Sequence, residues 1–392
     1  MGWEITADQI GDLARGAAVF GTGGGGDPYI GALLARQALA GGSVPVLDLA
    51  EVPDDALVLF VAMMGAPTVM VEKLPSLDEV VQPVTALGTY LGRPVTHIAC
   101  AEVGGVNSTI PVAAAAALGL PLIDADGMGR AFPELQMVLP TLSGITASPL
   151  ALSDEKGNVA VLNTVDNGWT ERIARVATVE MGCSTMIAGF SMSGAEARAA
   201  LVGGSLSRCA TVGRGIAEAR ADKSDPVAAA VALLGGRELF GGKVADVQRA
   251  TTTGFARGTA RIEGDGGTAL TLRFQNEHLV AERDGEILVT TPDLIMVLES
   301  ETGEPVTTEG LRYGQRVRVI AAPADERWHS PAALAMVGPG YFGYETAARR
   351  FDGTVSEGTV SESTVSAGAG SAGTVSPAGA GSAGDAPKED AA

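Results

Sequence analysis

A run of four glycines near the start of the chain constrains the fold more than any other feature of this sequence. The run lies within GTGGGGDPYIG, residues 21–31, between two segments with the apolar periodicity of helices. Glycine loses more backbone entropy on folding than any other residue, so such a run indicates positive φ or close backbone approach. Backbone N–H groups before a helix suit a negatively charged or carbonyl-bearing ligand. The residues predicted to bind this ligand are Gly23, Gly24, Gly25, Gly26 and Asp27.

The glycine run has two alternative interpretations, a structural turn between helices and a nucleotide-binding loop. A structural turn between helices needs only one or two glycines, so the excess favours ligand binding. A nucleotide-binding loop carries the Lys-Ser/Thr pair of a P-loop, or follows a strand as the dinucleotide fingerprint does. This run has neither property, and we predict no nucleotide cofactor.

The charge and the cysteine content of the chain limit its partners and its location. The 392 residues carry a formal net charge of −19 without a cluster of Lys or Arg. This balance argues against nucleic acid and against an anionic membrane as partners. The three cysteines form no CxxC pair, so neither a disulfide framework nor a zinc ribbon is expected. Because the first residues do not resemble a signal peptide and no apolar run reaches the roughly 20 residues of a membrane span, we expect a cytoplasmic protein.

Strands and helices alternate over the first part of the chain. Short apolar runs bounded by turn residues predict buried strands, and longer periodic segments predict helices. The alternation is typical of an α/β fold with a mostly parallel sheet and flanking helices, and we predict such an N-terminal domain over residues 1–165. Strands are predicted at 45–49, 56–61, 94–100 and 120–124, and helices at 7–20, 28–40, 77–92 and 110–118.

The second part of the chain has a different pattern. A C-terminal domain is predicted over residues 166–350, with a helical segment at 168–236 followed by a β-rich segment at 240–325. The β-rich segment consists of alternating or apolar runs separated by Gly-Asp and Asp-Gly turns. Residues 352–392 are rich in Gly, Ala and Ser. They bury too little apolar surface to offset the entropy of ordering, so we expect a disordered tail.

The first of two polar loops follows the predicted strand at 94–100. It contains Glu102, Gly105 and Asn107, and it lies at the sheet edge where parallel sheets bind ligands. A carboxylate and an amide held by a glycine turn can recognise an amide-like ring through paired hydrogen bonds. These three residues are therefore candidate substrate-binding residues. Capping of the next helix by Asn107 or Ser108 is the structural alternative.

The second polar loop follows the predicted strand at 120–124. Asp124 and Asp126 alternate at its start, and Arg130 and Glu134 come later. Alternating acids at a strand end can bind a divalent metal, for which zinc is the first candidate, or act as acid and base. We predict Asp124, Asp126 and Glu134 as catalytic residues, Asp124 and Asp126 also as metal ligands, and Arg130 as a substrate-binding residue. An acidic turn with Arg130 paired to one carboxylate is the alternative.

Cys183 is a further candidate for chemistry. It lies next to a glycine within EMGCST, residues 180–185, early in the predicted helical segment. A cysteine with a lowered pKa acts as a nucleophile or as a soft metal ligand. The alternative is a small buried hydrophobic residue.

Six motifs occur in a fixed order along the chain. They are GTGGGGDPYIG at 21–31, EVGGVN at 102–107, the loop at 124–134, FQNE at 274–277, TPDLI at 291–295 and GPGYFGY at 338–344. As an ordered set, they resemble the S-methyl thiohydantoin desulfurase family, a bacterial family associated with hydantoinases, over about residues 5–348 and both of its domains. The resemblance implies hydrolysis at a carbon of a hydantoin-like ring, with a sulfur leaving group in the reaction that names the family.

Together, the residues and the resemblance predict a hydrolase of a small cyclic amide or amidine-like ring, in which water attacks a ring carbon. The glycine-loop amides would stabilise negative charge, and the Asp124, Asp126 and Glu134 cluster would activate water. Glu102 and Asn107 would orient the ring.

Two other functions stay open at this point. One is a non-catalytic small-molecule-binding protein or a partner subunit of a hydantoinase-type enzyme. The other is a hydrolase or transferase with Cys183 as nucleophile. We expect either a homo-oligomer or an association with a hydantoinase-type enzyme.

Overall fold

The computed structural model describes residues 2–66, 69–70, 72–252 and 255–353. The tail predicted at 352–392 lies outside the described residues from residue 354 onward. The helices are α1 Ile10–Phe20, α2 Tyr29–Ala38, α3 Leu77–Leu91, α4 Ile110–Leu118, α5 Leu139–Leu142, α6 Asn167–Glu180, α7 Gly194–Ala200, α8 Ser205–Ala221, α9 Pro226–Leu234 and α10 Pro331–Val337. None of the helices within these described ranges is long and apolar enough to cross a membrane.

The strands form two sheets. Those of the first sheet are β1 Trp3–Thr6, β2 Ser43–Leu47, β3 Leu57–Gly65, β4 His97–Cys100, β5 Leu122–Asp126, β6 Leu150–Ser153, β7 Val159–Leu162, β8 Ser184–Ser193 and β9 Val202–Gly203. Those of the second sheet are β10 Arg237–Thr252, β11 Phe255–Glu263, β12 Ala269–Gln275, β13 Glu277–Arg283, β14 Glu286–Thr290, β15 Leu294–Glu299 and β16 Arg316–Ala322.

The first sheet has a parallel centre. Its order is β1-β2-β5-β4-β3-β8-β6-β7, and the neighbours from β2 to β3 are parallel. All residues of β4 and β5 are buried, as are all but the last of β3, because helices cover both faces of such a sheet. The predicted α/β fold class is confirmed.

The prediction of one helical segment at 168–236 is wrong in its middle. β8 lies between α6 and α7 and pairs antiparallel with β3, with Gly65 opposite Ser184. The strand predicted at 56–61 continues to Gly65, because its last residues also pair with β8. β8 is buried along most of its length, and a short apolar run buried on both sides cannot be told from a buried helix by periodicity.

The second sheet is antiparallel, in the order β14-β13-β12-β11-β10-β16-β15. The predicted β-rich C-terminal region is therefore confirmed. The glycine loop between α1 and α2 is bonded to both parts of the chain. Thr22 O accepts from His278 N at 2.8 Å, Gly23 O accepts from Thr308 N at 2.8 Å, and Gly25 O accepts from Val106 N at 2.9 Å. This bonding fixes the loop above the first sheet.

Candidate active site

A cavity of about 190 Å³ lies where the glycine loop meets the first sheet. Its floor comes from the carboxyl ends of β3, β4 and β5, where parallel sheets bind ligands. Opposite that floor lie residues after β12 and before β16. The lining includes Gly23, Gly24, Gly25, Gly26, Met63, Met64, Glu102, Asn107, Met128, Phe132, Glu134, Arg175, Asn276, Glu277, Thr308 and Glu309.

The glycine loop needs its glycines because neighbouring groups leave no room for side chains. A Cβ atom at residue 24 would lie 2.0 Å from Oε1 of Glu277, and one at residue 25 would lie 2.6 Å from Cα of Gly104. Gly25 also has φ of 68°, which side chains disfavour. The N–H groups of Gly23 and Gly26 make no hydrogen bond within the described residues. The loop therefore offers free amide donors at the cavity.

Glu102 is a buried carboxyl group of the cavity wall. It is 6% exposed and accepts a hydrogen bond from Asn107 Nδ2 at 2.8 Å. Asn107 Oδ1 in turn accepts from Met63 N at 2.7 Å, so the amide holds the carboxyl against the end of β3. Burial raises the pKa of Glu102 to about 7, although the bond from Asn107 opposes the rise. Near neutral pH, Glu102 can both take and give a proton.

Glu277 is the second buried carboxyl group, and the sequence did not single it out as a site residue. It begins β13, just after Asn276 turns the chain with φ of 56°. The side chain is 2% exposed, and its Oε2 atom has no hydrogen-bond partner among the described residues. Burial and the nearby Glu102 carboxyl raise the pKa of Glu277 well above its ordinary value, against the Arg130 cation. Its surroundings therefore favour the protonated form of Glu277.

Arg130 lies behind this carboxyl pair and is absent from the cavity lining. Its buried guanidinium donates to Thr22 Oγ1 at 2.9 Å, to Pro292 O at 2.6 Å and to Asp293 O at 2.9 Å. Burial lowers the pKa of Arg130 to about 10, with the nearby Glu277 opposing, so the side chain is a cation at neutral pH. It acts on the cavity through its charge and ties the glycine loop to the second half of the chain.

Asp124 and Asp126 bind the start of α8 and do not line the cavity. Asp124 Oδ1 accepts from Leu206 N at 2.8 Å and from Ser207 N at 3.0 Å. Asp126 accepts from Gly129 N at 2.7 Å and from the hydroxyl of Ser205. Burial raises the pKa of Asp126 to about 6, against these hydrogen bonds. Both carboxyls serve here as caps for backbone and hydroxyl donors.

The predicted metal at Asp124 and Asp126 stays a prediction. Within the described ranges, no three or more His, Cys, Asp or Glu residues form a group that could hold a metal ion. A metal at this point would compete with the donors of α8 for the carboxylate oxygens.

Glu134 lies at the mouth of the cavity. Its Oε2 accepts from the hydroxyl of Tyr341 at 2.7 Å, which joins the loop after β5 to the GPGYFGY motif. Burial, helped by the bond to Glu134, raises the pKa of Tyr341 to about 12, so the tyrosine stays a donor. Arg175 of α6 also lines the mouth and forms an ion pair with Glu171.

The remaining candidates lie outside the cavity lining. Asp27 is exposed, and its Oδ1 accepts from Tyr29 N at 2.9 Å. Gly105 packs against the loop, since a Cβ atom there would lie 2.2 Å from Gly26 O. Cys183 is exposed in the turn between α6 and β8 with φ of 66°. Its carbonyl accepts from Ala66 N at 3.0 Å, so its backbone supports the cavity edge while its thiol lies elsewhere.

The structure thus brings together the glycine loop, Glu102, Asn107 and Glu134 from the sequence prediction, and adds Glu277. A signal for Glu277 was present, because FQNE at 274–277 is one of the six family motifs. Periodicity alone could not identify Glu277, because a glutamate at the first position of a strand is an ordinary pattern in a β-hairpin.

Comparisons with known proteins match both parts of the chain to one family of domains. The family model for the S-Me-THD-like, N-terminal domain matches residues 8–164, and that for the S-Me-THD-like, C-terminal domain matches residues 165–351. The chain is similar to a protein from Chromobacterium violaceum of known crystal structure, at 26% identity and a TM-score of 0.77. That match covers 89% of this chain and 99% of the other. No curated protein matches the chain. The resemblance carried by the six motifs is confirmed.

Proposed function

Since the chain belongs to the S-Me-THD-like family, we propose that it is a hydrolase of a small cyclic amide or amidine-like ring, of the hydantoin or S-methyl thiohydantoin type. One observation carries the proposal. Glu102 and Glu277 are two buried carboxyl groups that line one cavity beside the amides of the glycine loop. Their raised pKa values give an acid and a base at neutral pH, as such a hydrolysis requires.

The two carboxyl groups take different roles because their pKa values are raised by different amounts. Glu102, with a pKa of about 7, is ionised in a large share of molecules at neutral pH and removes a proton from the attacking water. Glu277, whose pKa is raised well above its ordinary value, is protonated and donates to the ring nitrogen. A carbon–oxygen bond forms as the carbon–nitrogen double bond becomes single.

Collapse of the resulting intermediate completes the reaction for an S-methyl thiohydantoin. The ionised Glu277 takes the hydroxyl proton as the new carbonyl forms, and the carbon–sulfur bond breaks. Glu102 gives its proton to the leaving sulfur. One water is consumed, methanethiol leaves, and both carboxyl groups return to their starting protonation states.

The surrounding groups support charge development in this scheme. The free N–H groups of Gly23 and Gly26 are donors for a ring oxygen that gains negative charge. The buried Arg130 cation favours the ionised forms of both glutamates and so limits the rise in their pKa values. Met63, Met64 and Met128 provide an apolar, polarisable wall for a methylthio group.

The proposal is tested by turnover of S-methyl thiohydantoins and hydantoins, followed by mass spectrometry. We expect wild-type turnover and a loss of roughly 100-fold or more in Glu102→Gln and in Glu277→Gln, the usual scale of acid–base catalysis. Glu79→Gln is the matched control, because burial also raises the pKa of Glu79 to about 7 but the residue lies outside the cavity lining. Binding without turnover by the wild type would instead identify a non-catalytic binding protein.

A further inference from the structure

The outer face of α6 exposes a row of large apolar side chains. Trp169 is 47% exposed, Ile173 40%, Val176 67% and Val179 57%. Steps of four, three and three residues put the four side chains on one side of the helix. The other side of α6 is buried against the first sheet, where Ala174 is fully buried. We call the row of four the α6 stripe.

The apolar surface continues beyond the α6 stripe. Val165, just before α6, is 86% exposed, and Val159 of β7 is 45% exposed. β7 is the last strand in the order of the first sheet. A helix of 14 residues is only about 21 Å long, so a stable interface of about 800 Å² per partner needs such neighbouring surface. α6 contacts β7, so these exposed apolar side chains lie on neighbouring elements, and large exposed apolar patches mark interaction sites.

Two charges flank the centre of the α6 stripe. Arg172 and Glu180 lie four residues before and four residues after Val176, on the same exposed side of the helix. Neither has an ion-pair partner within the described ranges. The guanidinium of Arg172 lies 4.3 Å from the centroid of the Trp169 ring. Stacking of this kind holds an arginine in one orientation before a partner arrives.

We propose that this surface binds a second copy of the chain through a two-fold axis near Val176. An antiparallel pair of α6 helices about that axis brings Arg172 of each copy towards Glu180 of the other. Ile173 of one copy then lies against Val179 of the second. The surface is complementary to itself in charge and in apolar character, which a two-fold interface requires. The proposal does not depend on the reaction that the cavity performs.

The first test measures the mass of the full chain by sedimentation velocity over a range of concentrations. The expected mass is twice that of the 39.6 kDa chain. Val176→Arg places two like charges at the axis, so we expect dissociation to be at least roughly 30-fold easier, as for an interface hot spot. Tyr313→Arg is the control, because Tyr313 is 75% exposed and lies outside the α6 stripe. A monomeric wild type, or a Val176→Arg dimer of unchanged affinity, would overturn the proposal.

The second test addresses the antiparallel geometry. Arg172→Glu and Glu180→Arg each place like charges together twice in the dimer, and we expect each to weaken it roughly tenfold. Mixing these two variants should restore a dimer, because each Glu at 172 or 180 of one chain then meets an Arg of the other. Circular dichroism checks that both variants are folded. Failure of the mixture to associate better than either variant alone would overturn the two-fold pairing.

Discussion

The carboxyl group of Glu277 occupies the space that a side chain at Gly24 would fill. A Cβ atom at residue 24 would lie 2.0 Å from Oε1 of Glu277. Two segments separated by most of the chain therefore meet at an acid of the candidate site. The glycine run and the FQNE motif are two parts of one arrangement. In this arrangement the loop receives the carboxyl group of Glu277 and keeps its own free amides at the cavity.

Gly24→Ala should impair turnover by displacing Glu277. The added methyl group must push the carboxyl away from the loop, and a displacement near 1 Å at a reacting group costs roughly 100-fold in rate. Overpacking also lowers the free energy of unfolding, by about 1–3 kcal/mol. Gly42→Ala is the matched control, because nothing lies within 4 Å of a Cβ atom there. Turnover kinetics and thermal melts of both variants give the answer, and full activity in Gly24→Ala would contradict the assigned contact.

The pH dependence of kcat/KM should report the two carboxyl groups. Glu102 must be ionised to accept a proton, so the rate should rise as pH increases through about 7, its pKa. Glu277 must be protonated, and its pKa is raised well above the ordinary value, so the rate should fall again at higher pH. A bell-shaped profile measured at low substrate concentration would agree with this. A rate that is independent of pH between 5 and 9 would not.

The free energy of unfolding should fall over the same pH range in which the activity rises. The pKa of Glu102 is raised from 4.5 to about 7 in the folded protein. The contribution of Glu102 to the free energy of unfolding is therefore most favourable below pH 4.5. It is lost as pH rises through about 7, which lowers the free energy of unfolding by roughly 3 kcal/mol at most. Glu277 acts in the same direction. We expect Glu277→Gln to raise the melting temperature at pH 8 relative to the wild type, and less so at pH 5.

The fold was predictable from sequence wherever local pattern and tertiary environment agree. The strands that became β3, β4 and β5 are apolar runs between turn residues. The segment of α3 carries helical periodicity, that of α4 is a continuous Ala-rich run, and both helices end at a glycine. β8 was not predictable by the same means. Its run is apolar on both faces because it lies inside the sheet, and only its pairing with β3 distinguishes it from a helix.

The candidate site was predictable in part for a related reason. Glu102 and Asn107 follow a parallel strand, so the rule that ligands bind at the carboxyl ends of strands located them. Asp124 and Asp126 satisfy the same rule, yet their side chains bind the start of α8, a segment about 80 positions later in the chain. Glu277 comes from the second sheet, whose approach to the glycine loop depends on tertiary contacts that no local pattern contains.

Asp126→Asn separates the capping role from the predicted metal. Loss of the charge-assisted bonds from Gly129 N and Ser205 should cost about 1–3 kcal/mol of stability, while turnover per folded molecule stays near the wild-type value. Thermal melts and kinetics at a temperature well below the transition measure both. Elemental analysis of the purified protein completes the test. Stoichiometric zinc that disappears in Asp126→Asn together with activity would support the metal role predicted from the sequence instead.

Cys183→Ser should leave turnover within about twofold of the wild type. The thiol is exposed in the turn between α6 and β8, it is absent from the cavity lining, and a nucleophile must reach the reacting carbon.

Cys100 and Cys209 are buried, and burial raises the pKa of both thiols well above the ordinary value. Iodoacetamide should therefore label Cys183 first, because thiolate character and exposure control the reaction. Peptide mass mapping after partial labelling identifies the modified residue, and activity is measured on the same sample. If the labelled protein still turns over substrate, the catalytic role stays with the two glutamates. If activity falls in proportion to labelling, and this loss does not occur in Cys183→Ser, the catalytic role belongs to Cys183.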